Sequence, residues 1–460
     1  MATVNSGALR ANSSPQAGSS VGVNLDSRRK YDFSDRVADL KPEESPFFVY
    51  LSKVAKQPTS DPVFRFLEDR TKVSWTDRSF KLNGSHSIPA AGSTLSYTVT
   101  DADTPANSID WLIKGMVFAV DYKENSSPET ILVRIESSPV DAGTSTTFIG
   151  KTISSVDGAE TGDDNMLCQV VGTSFEEGSG SPDVWNEELD NDYGYTQIFK
   201  TAAEMTNTAR ATIYRGYADE WSRIWNLKLR EHKVDIERAM LFGQRASQSN
   251  INYTEGVVGH IIKNSTAVTD DSALSYTAGN SYLRSVAQSE LTYDRLLTDF
   301  ETVFDPARGG SSNKLGLAGF QVITFFNKLA GFSKVNATIG ATRTAGGGTA
   351  TSTESNPFSL DMQNIKGSFG HNLMKIDTVY GSLSLVKEPL FRGMSTGYLA
   401  MIDLDHIAYR PLVGNGLNRD TQIITNVQQA DEDLRKDMIL TEAGLEVTLS
   451  EAHMLYNVEA

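Results

Sequence analysis

Residues Thr196–Gly243 read TQIFKTAAEMTNTARATIYRGYADEWSRIWNLKLREHKVDIERAMLFG and contain the longest uninterrupted helical pattern in the chain. Apolar side chains recur every three or four residues, which is the spacing of a one-sided helix. They are Trp221, Ile224, Trp225, Leu229, Ile236 and Met240, with His232 between them as a packed core residue. No proline interrupts the pattern, and Gly243 stands where a left-handed C-terminal cap would end it. The pattern predicts a helix over Asp219–Phe242, roughly 36 Å long at about 1.5 Å per residue.

The remaining positions of this helix are mostly charged, with both signs present, and Glu237 is placed among them. A coiled coil is disfavoured because no heptad is sustained. A membrane-surface helix is disfavoured because the charges do not form a basic face. We therefore interpret the segment as a structural spine packed on a sheet, in which each buried large side chain contributes about 2 kcal/mol. A buried Trp225 would make Trp225→Ala cost about 3 to 5 kcal/mol.

Composition excludes several classes of function. The 460 residues carry a net charge of -16, which disfavours direct binding to nucleic acid or to an anionic membrane. The one cysteine, Cys168, rules out an intrachain disulfide and is interpreted as a small buried hydrophobe. Neither a signal peptide nor a membrane span is recognisable, so we expect a soluble protein made inside a cell.

The chain before the spine divides into an arm and a strand-rich region. Residues 1 to about 30 are too poor in apolar side chains to fold alone, so a neighbour would have to order them. Ser45 and Pro46 begin a short helix that carries an apolar patch of Phe47, Phe48, Tyr50, Leu51 and Val54. Residues 72–190 contain at least four Val/Ile/Phe-rich runs separated by turns, which predicts a small antiparallel barrel or sandwich. Its acidic, glycine-rich end, residues 175–195, is expected to be a surface connection.

The pattern after Gly243 is typical of an α/β region. A helical stripe covers residues 291–304, and the apolar run at 316–332 fits either a strand or a helix. Residues 334–357 have few large side chains and are expected to be a mobile loop. The remaining segments predict strands, the last with Leu445, Val447 and Leu449 alternating against Glu446 and Thr448.

No motif for catalysis or metal binding is convincing. Gly309–Gly316 lacks the Gly-Lys-Ser/Thr ending of a phosphate loop. Asp190, Asp192 and Gly194 have the wrong spacing for a calcium loop and are interpreted as an acidic linker. Asp403, Asp405 and His406 could hold a metal only if the backbone turned sharply, so a solvated strand end is favoured. The six histidines are scattered, and no nucleophile or dinucleotide motif occurs. We therefore predict a structural protein without catalytic, cofactor-binding or metal-binding residues.

The order of these segments, together with three motifs, resembles phage major capsid proteins of the Hong Kong 97 fold. Residues 196–199 match the Thr-Gln-Ile-Phe lead-in of one subgroup, 233–243 resemble its glycine-terminated spine end, and 435–453 are similar to its last strand. The similarity covers about residues 30–60 and 190–460. The strand-rich region is longer than a plain extended loop, which implies an inserted β module.

The resemblance implies an α+β Hong Kong 97-type fold with five parts. They are an N-terminal arm (1–58), an extended loop with a small β module (59–190), a peripheral domain with the spine helix (191–250), an axial α/β domain (251–378) and returning strands of both domains (379–460). In that family the arm and loop lie over neighbouring subunits, and some members crosslink through a lysine and an asparagine, a pair that nothing in this sequence identifies.

The implied function is that of a major capsid protein. Copies would self-assemble into hexamers and pentamers of an icosahedral head shell that encloses viral DNA without sequence-specific binding. Portal, scaffolding and decoration proteins would be the other partners, with no membrane involved. Assembly in the host cytoplasm and residence in the virion follow from this role. Two alternatives stay open: an encapsulin-like compartment shell, and a hydrolase or sugar-binding protein that uses the β module or the Asp403 cluster.

Overall fold

The computed structural model describes most of the chain from the first helix onwards. The described residues are 46–54, 56–70, 78–102, 107–124, 127–154, 160–184, 188–214, 219–270, 272–277, 279–287, 290–306, 310–326, 341–345, 348–352, 361–366 and 372–459. Most of the predicted arm, residues 1–45, lies outside them. The fold is α+β.

The first helix, α1, covers Pro46–Val54 as predicted, with proline at its first position. Phe47 and Leu51 are fully buried in the core of the protein. The chain then runs beside residues 409–411, where the Gln57 N–H donates to the Tyr409 carbonyl over 2.9 Å. It continues into strand β1, Val63–Glu68.

The β module is a closed barrel. The strands of the module are β2 (Ser79–Leu82), β3 (His86–Ile88), β4 (Thr94–Asp101), β5 (Met116–Glu124), β6 (Ser127–Ile135), β7 (Val140–Asp141), β8 (Thr146–Ser154), β9 (Glu160–Gly162) and β10 (Leu167–Thr173). Strands β3 and β9 pair with each other in a separate two-stranded sheet. The antiparallel order β4-β2-β10-β5-β6-β8 closes because β8 also pairs with β4. Phe80, Tyr97, Phe118 and Phe148 fill the interior. Of the two arrangements that the sequence left open, a barrel or a sandwich, the structure has the barrel.

Cys168 is a buried residue of this barrel, as predicted. Burial raises the pKa of its thiol far above the ordinary value, so the sulfur stays protonated and inert.

A two-stranded ribbon joins the barrel to the body. Strand β11, Asp190–Tyr195, pairs antiparallel with β1 over its whole length, from Val63 opposite Tyr195 to Glu68 opposite Asp190. The expectation of a plain surface connection over residues 175–195 is therefore wrong at its end. The ring of Phe64 holds β11 against the body, because it packs into the space that Gly194 and Gly444 leave by having no side chain.

The spine follows directly. Strand β12 (Gln197–Thr206) leads through helix α2 (Asn207–Ala211) to helix α3 (Glu220–Phe242), which is called the spine helix below. Its start is fixed by Asp219, whose carboxylate accepts the Trp221 N–H over 3.0 Å. The predicted helix is confirmed as one unbroken element of 23 residues. It packs on β12 and on a strand near the C-terminus.

The elements after the spine helix include a large mixed sheet. In chain order they are β13 (Ala246–Gln248), β14 (Ile251–Tyr253), α4 (Val257–Lys263), β15 (Ala267–Val268), β16 (Tyr282–Ala287), α5 (Tyr293–Val303), β17 (Asn313–Ala318), β18 (Ala341–Ala345), β19 (Gly348–Ser352), β20 (Asp361–Lys366), β21 (Asn372–Asp377), β22 (Ser382–Lys387) and β23 (Tyr398–Ile402). The last strands are β24 (Ile407–Pro411), β25 (Val413–Gly414), β26 (Leu417–Asn418), β27 (Gln422–Ile424), β28 (Leu434–Val447) and β29 (Met454–Glu459). The mixed sheet has the order β15-β16-β29-β23-β17-β22-β21-β20, and α5 packs in the core beside it.

Two sequence predictions in this region need correction or completion. The apolar run at 316–332 is a strand that ends at Ala318, then helix from residue 320 to at least 326. The predicted loop at 334–357 contains the hairpin β18/β19, while its residues 334–340, 346–347 and 353–357 lie outside the described residues.

Strand β28 is the centre of a second sheet. It pairs with β12 on one side and with β24 and β27 on the other. Residues 439–447 are buried on both faces, so the predicted alternation fails. Glu446 is 7% exposed and pairs with Arg410 over 2.5 Å. Leu449 lies beyond the strand, in a turn.

Among the helices in the part of the chain that the structure describes, none is both long and apolar enough to cross a membrane.

Candidate functional site

The predicted spine residues differ in burial along the spine helix. Ile236 and Met240 are fully buried in a core shared with α1, α4 and both large sheets. Trp221, Ile224, Trp225 and Leu229 are only partly buried. The two indole rings stack with centroids 6.4 Å apart, and the Arg435 guanidinium lies 4.7 Å above the Trp221 ring. The spine is therefore anchored at its C-terminal half, and its N-terminal half has an aromatic surface.

This gradient predicts different costs for truncation. We expect Met240→Ala to lower the free energy of unfolding by about 2 to 3 kcal/mol, because it leaves a cavity in a closed core. Trp225→Ala should cost about 2 kcal/mol, less than for a fully buried tryptophan, because its ring is partly solvated already. Leu227→Ala is the control, since that side chain is 55% exposed and should change stability by less than about 0.5 kcal/mol. Chemical denaturation of the unassembled chain measures all three, and a larger loss for Trp225→Ala than for Met240→Ala would contradict the gradient.

His232 bridges the spine helix to two strands. It is 1% exposed, its Nδ1 lies 2.9 Å from the Thr201 hydroxyl of β12, and its Nε2 lies 2.8 Å from the Thr441 hydroxyl of β28. Burial lowers the pKa of the imidazole, so the ring is neutral and both nitrogens are satisfied by hydroxyl groups. The predicted packed core role of His232 is confirmed, with an added polar contact that the sequence did not indicate.

The Thr-Gln-Ile-Phe segment before the spine also makes specific contacts. The Thr196 N–H donates to the Pro62 carbonyl over 2.9 Å, and its hydroxyl donates to the Glu442 carboxylate over 3.3 Å. The Gln197 side-chain carbonyl accepts the Thr254 N–H over 3.1 Å. Phe199 is buried in the shared core. These contacts tie the start of β12 to the ribbon, to β28 and to the segment before α4.

Glu237 is buried, although the sequence placed it on the polar face of the spine helix. Its Oε1 accepts the Phe47 N–H over 2.8 Å and the Phe48 N–H over 3.4 Å, so it satisfies free donors at the start of α1. Its position three residues before Met240 was the available sequence signal, because i and i+3 share a helix face. The first helix is thus docked on the spine helix by a carboxyl group.

Gly243 ends the spine helix, but not with a left-handed cap. Its φ and ψ are -59° and 153°, so the predicted cap geometry is wrong. A Cβ there would lie 2.5 Å from the carbonyl oxygens of both Ala239 and Thr254. Glycine is required because backbone from the segment before α4 passes directly against the helix end.

Ion pairs bind one end of the ribbon, where Glu68 is opposite Asp190, to the short turn Ser450–Ala452 before β29. Arg70 pairs with Glu68, with Asp190 over 2.6 Å and with the buried Glu451 over 2.7 Å. Glu68 also accepts the N–H of Leu449 over 2.8 Å. Leu449 has a φ of +48°, an unfavourable conformation for a leucine, and this contact helps to hold it there.

A second buried ion pair lies between the mixed sheet and α5. Arg284 and Asp299 are 1% and 0% exposed, and their charged groups are 2.6 Å apart. The other Asp299 oxygen accepts the Tyr456 hydroxyl over 2.7 Å, which joins β16, β29 and α5. Arg284 also donates to the backbone carbonyls of Asp270 and Ser272, each over 2.9 Å.

The Asp403 cluster is not the solvated strand end that was expected. Asp403 is 1% exposed and caps a short 3-10 turn, Leu404–His406, by accepting the Asp405 N–H over 3.1 Å. Its Oδ2 lies 3.9 Å from the Lys314 ammonium, whose pKa burial lowers to about 8. Asp405 is exposed, so the two carboxylates do not converge on one point.

The other candidate motifs are structural in the same way. Asp190 and Asp192 lie in β11 and pair with Arg70 and Arg245, respectively. The part of the Gly309–Gly316 motif that the structure describes leads into β17. Across the described residues, no group of three or more His, Cys, Asp or Glu side chains could hold a metal ion.

Negative charge is concentrated around the barrel. Residues 59–190 contain 22 acidic and nine basic residues, whereas the whole chain has 58 and 42. This 132-residue region therefore accounts for most of the net charge of -16.

The chain matches the family described as SU10 major capsid protein over residues 14–459. No curated protein matches it. Among solved structures, it is similar to the capsid of cyanophage A-1(L), at 10% identity and a TM-score of 0.43, covering 94% of this chain and 97% of that one. The capsid of a native GTA particle matches at 9% identity and a TM-score of 0.42, covering 96% and 98%. The SrpI encapsulin of Synechococcus elongatus matches at 12% identity and a TM-score of 0.35, covering 59% and 78%.

Because the family match spans nearly the whole sequence, the chain belongs to the SU10 major capsid protein family and is a major capsid protein that forms the head shell of a phage.

Proposed function

We propose that copies of this chain self-assemble into hexamers and pentamers of an icosahedral shell that encloses viral DNA. The observation that carries the proposal is the spine helix, a rigid element that links α1, β12 and the C-terminal strand β28. A shell subunit must hold the contact surfaces at its two edges in a fixed position relative to each other. A helix anchored in the core at one end, with a partly exposed aromatic surface at the other, suits that task.

The arrangement we propose is of the Hong Kong 97 type. The spine helix and the β28 sheet would form the peripheral domain (191–250 with part of 379–460), and the mixed sheet the axial domain (251–378 with the rest of 379–460). The arm (1–58) and the loop with its barrel (59–190) would extend over neighbouring subunits. The contacts of Thr196, Gln197 and Phe199 support placing the chain in the subgroup with the Thr-Gln-Ile-Phe lead-in.

The charge distribution supports enclosure of DNA without sequence-specific binding. DNA carries one negative charge per roughly 1.7 Å of helix axis, so it repels an acidic surface. We infer that the strongly acidic barrel region lies on the outside of the shell, away from the genome. A non-enzymatic role, with portal, scaffolding and decoration proteins as partners, completes the proposal. Assembly would take place in the host cytoplasm, and the mature location would be the virion.

Electron microscopy of the expressed protein, together with mass spectrometry of virions, tests this function. We expect closed shells with hexameric and pentameric capsomers, and this chain as the main shell component. Protein that stays monomeric at high concentration and is absent from virion shells would overturn the proposal. Shells that co-purify with an enzyme cargo instead of DNA would identify a compartment shell.

A further inference from the structure

Two buried glutamates form a carboxyl pair beneath α1. Glu237 comes from the spine helix and Glu388 follows β22, and both are 0% exposed. Oε1 of Glu237 accepts the N–H groups of Phe47 and Phe48, and Oε1 of Glu388 accepts the Leu390 N–H over 3.1 Å. Within the described residues, no donor reaches the Oε2 atom of either side chain.

The pair must hold a proton while α1 is docked. The two carboxyl groups are both fully buried and close enough to interact, and neither Oε2 atom has a donor from another described group. Two buried carboxylates that share a site without a compensating cation cannot both be ionised, so at least one of the two is protonated. Burial, and then the charge of Glu388, raises the pKa of Glu237, and burial also raises the pKa of Glu388.

Other charged groups around the pair are directed elsewhere. On the spine helix, Arg238 is exposed and pairs with Asp235. In the turn after β22, Arg392 is exposed and donates to the Pro389 carbonyl over 3.0 Å. On α1, burial raises the pKa of the Tyr50 hydroxyl, so that group stays neutral. Neither arginine compensates a negative charge on the pair.

We propose that Glu237 and Glu388 act as a proton-dependent latch, which holds α1 on the spine helix in neutral and acidic solution and releases it in alkaline solution. The latch therefore sets how firmly α1 is attached to the spine helix.

The sign of the effect follows from proton linkage. An unfolded or solvated glutamate has a pKa of about 4.3. Both docked pKa values lie above this, so the docked state binds more protons at pH values between the two. Docking is then strongest below about pH 4.3 and weakens as pH rises towards and through the docked pKa values. Each proton involved can change the undocking constant by up to about tenfold per pH unit.

Hydrogen exchange of the full-length, unassembled chain tests the latch. The readout is the exchange rate of peptides covering Pro46–Val54, divided by the rate in the double variant Glu237→Gln/Glu388→Gln at the same pH. This ratio removes the intrinsic dependence of exchange on pH. The amides keep the hydrogen bonds but carry no titrating group. We expect the ratio to rise at least about tenfold between pH 6 and pH 9.

Two further variants keep the test decisive. Glu231→Gln removes an exposed carboxylate from the same helix and should behave like the natural chain. Glu388→Gln alone should reduce the dependence on pH, and if the double variant fails to fold, the change of exchange rate with pH in Glu388→Gln is compared directly with that of the natural chain. Peptides of α5 should show no change in their ratio. A ratio for α1 that stays within about twofold across this pH range, or equal behaviour of Glu231→Gln and Glu388→Gln, would overturn the proposal.

Discussion

Replacing Asp299 with alanine is expected to lower the free energy of unfolding by about 3 to 5 kcal/mol, the usual cost of removing one partner from a buried ion pair. The change leaves the Arg284 guanidinium, which is 1% exposed, without its counter-charge. It also removes the acceptor of the Tyr456 hydroxyl. Both groups would then be desolvated without full compensation, and that penalty exceeds the value of the original contact.

Chemical denaturation followed by circular dichroism measures this loss. Glu301→Ala is the matched control, because Glu301 lies on the same helix and is exposed, and it should change stability by less than about 0.5 kcal/mol. Replacing the pair with apolar residues, Arg284→Met together with Asp299→Leu, should recover much of the loss. A loss below about 1 kcal/mol for Asp299→Ala would show that water reaches this pair.

Replacing Gly259 with alanine should destabilise the chain by about 3 kcal/mol, although alanine normally favours a helix by about 1 kcal/mol over glycine. Gly259 lies inside α4, and a Cβ there would lie 2.3 Å from the Gly243 carbonyl oxygen. The obstacle is backbone at the end of the spine helix, which cannot move aside like a flexible side chain. The helix end and α4 would have to separate.

The clearest test is whether Gly259→Ala lowers or raises the free energy of unfolding. Gly172→Ala serves as the control, because a Cβ at that position meets nothing within 4 Å. Its stability should change by less than about 0.5 kcal/mol. Thermal unfolding distinguishes the two variants, and a stabilised Gly259→Ala would contradict the close packing of the spine helix against α4.

Periodicity predicted those elements whose burial follows one simple rule. The spine helix has one buried face, and the barrel strands have a buried interior, so spacing in the sequence was sufficient for both. Strand β28 has neighbours on both sides and both faces covered over residues 439–447, so its charged positions are buried and the alternation disappears. Its pairing with β12 joins residues more than 200 positions apart, which local patterns do not encode.

The buried charged side chains were harder to predict, because charged residues were expected to be exposed to solvent. Glu237 and Asp299 are buried since each has a partner on a distant element, and no spacing rule identifies those partners. Gly243 was correctly placed at the end of the spine helix, but for the wrong reason. Glycine is required at this position because the backbone of Thr254 passes close to it, which is a tertiary contact. The local dihedral angles do not require glycine.

The ribbon of β1 and β11 has a consequence for engineering. Glu68 and Asp190 are directly opposite each other, so their Cα atoms are about 5 Å apart, although 121 residues lie between them. Any compact domain whose two ends are equally close could be grafted there in place of the barrel without stretching the rest of the subunit. A foreign enzyme or antigen joined at these two positions would be carried once on every subunit.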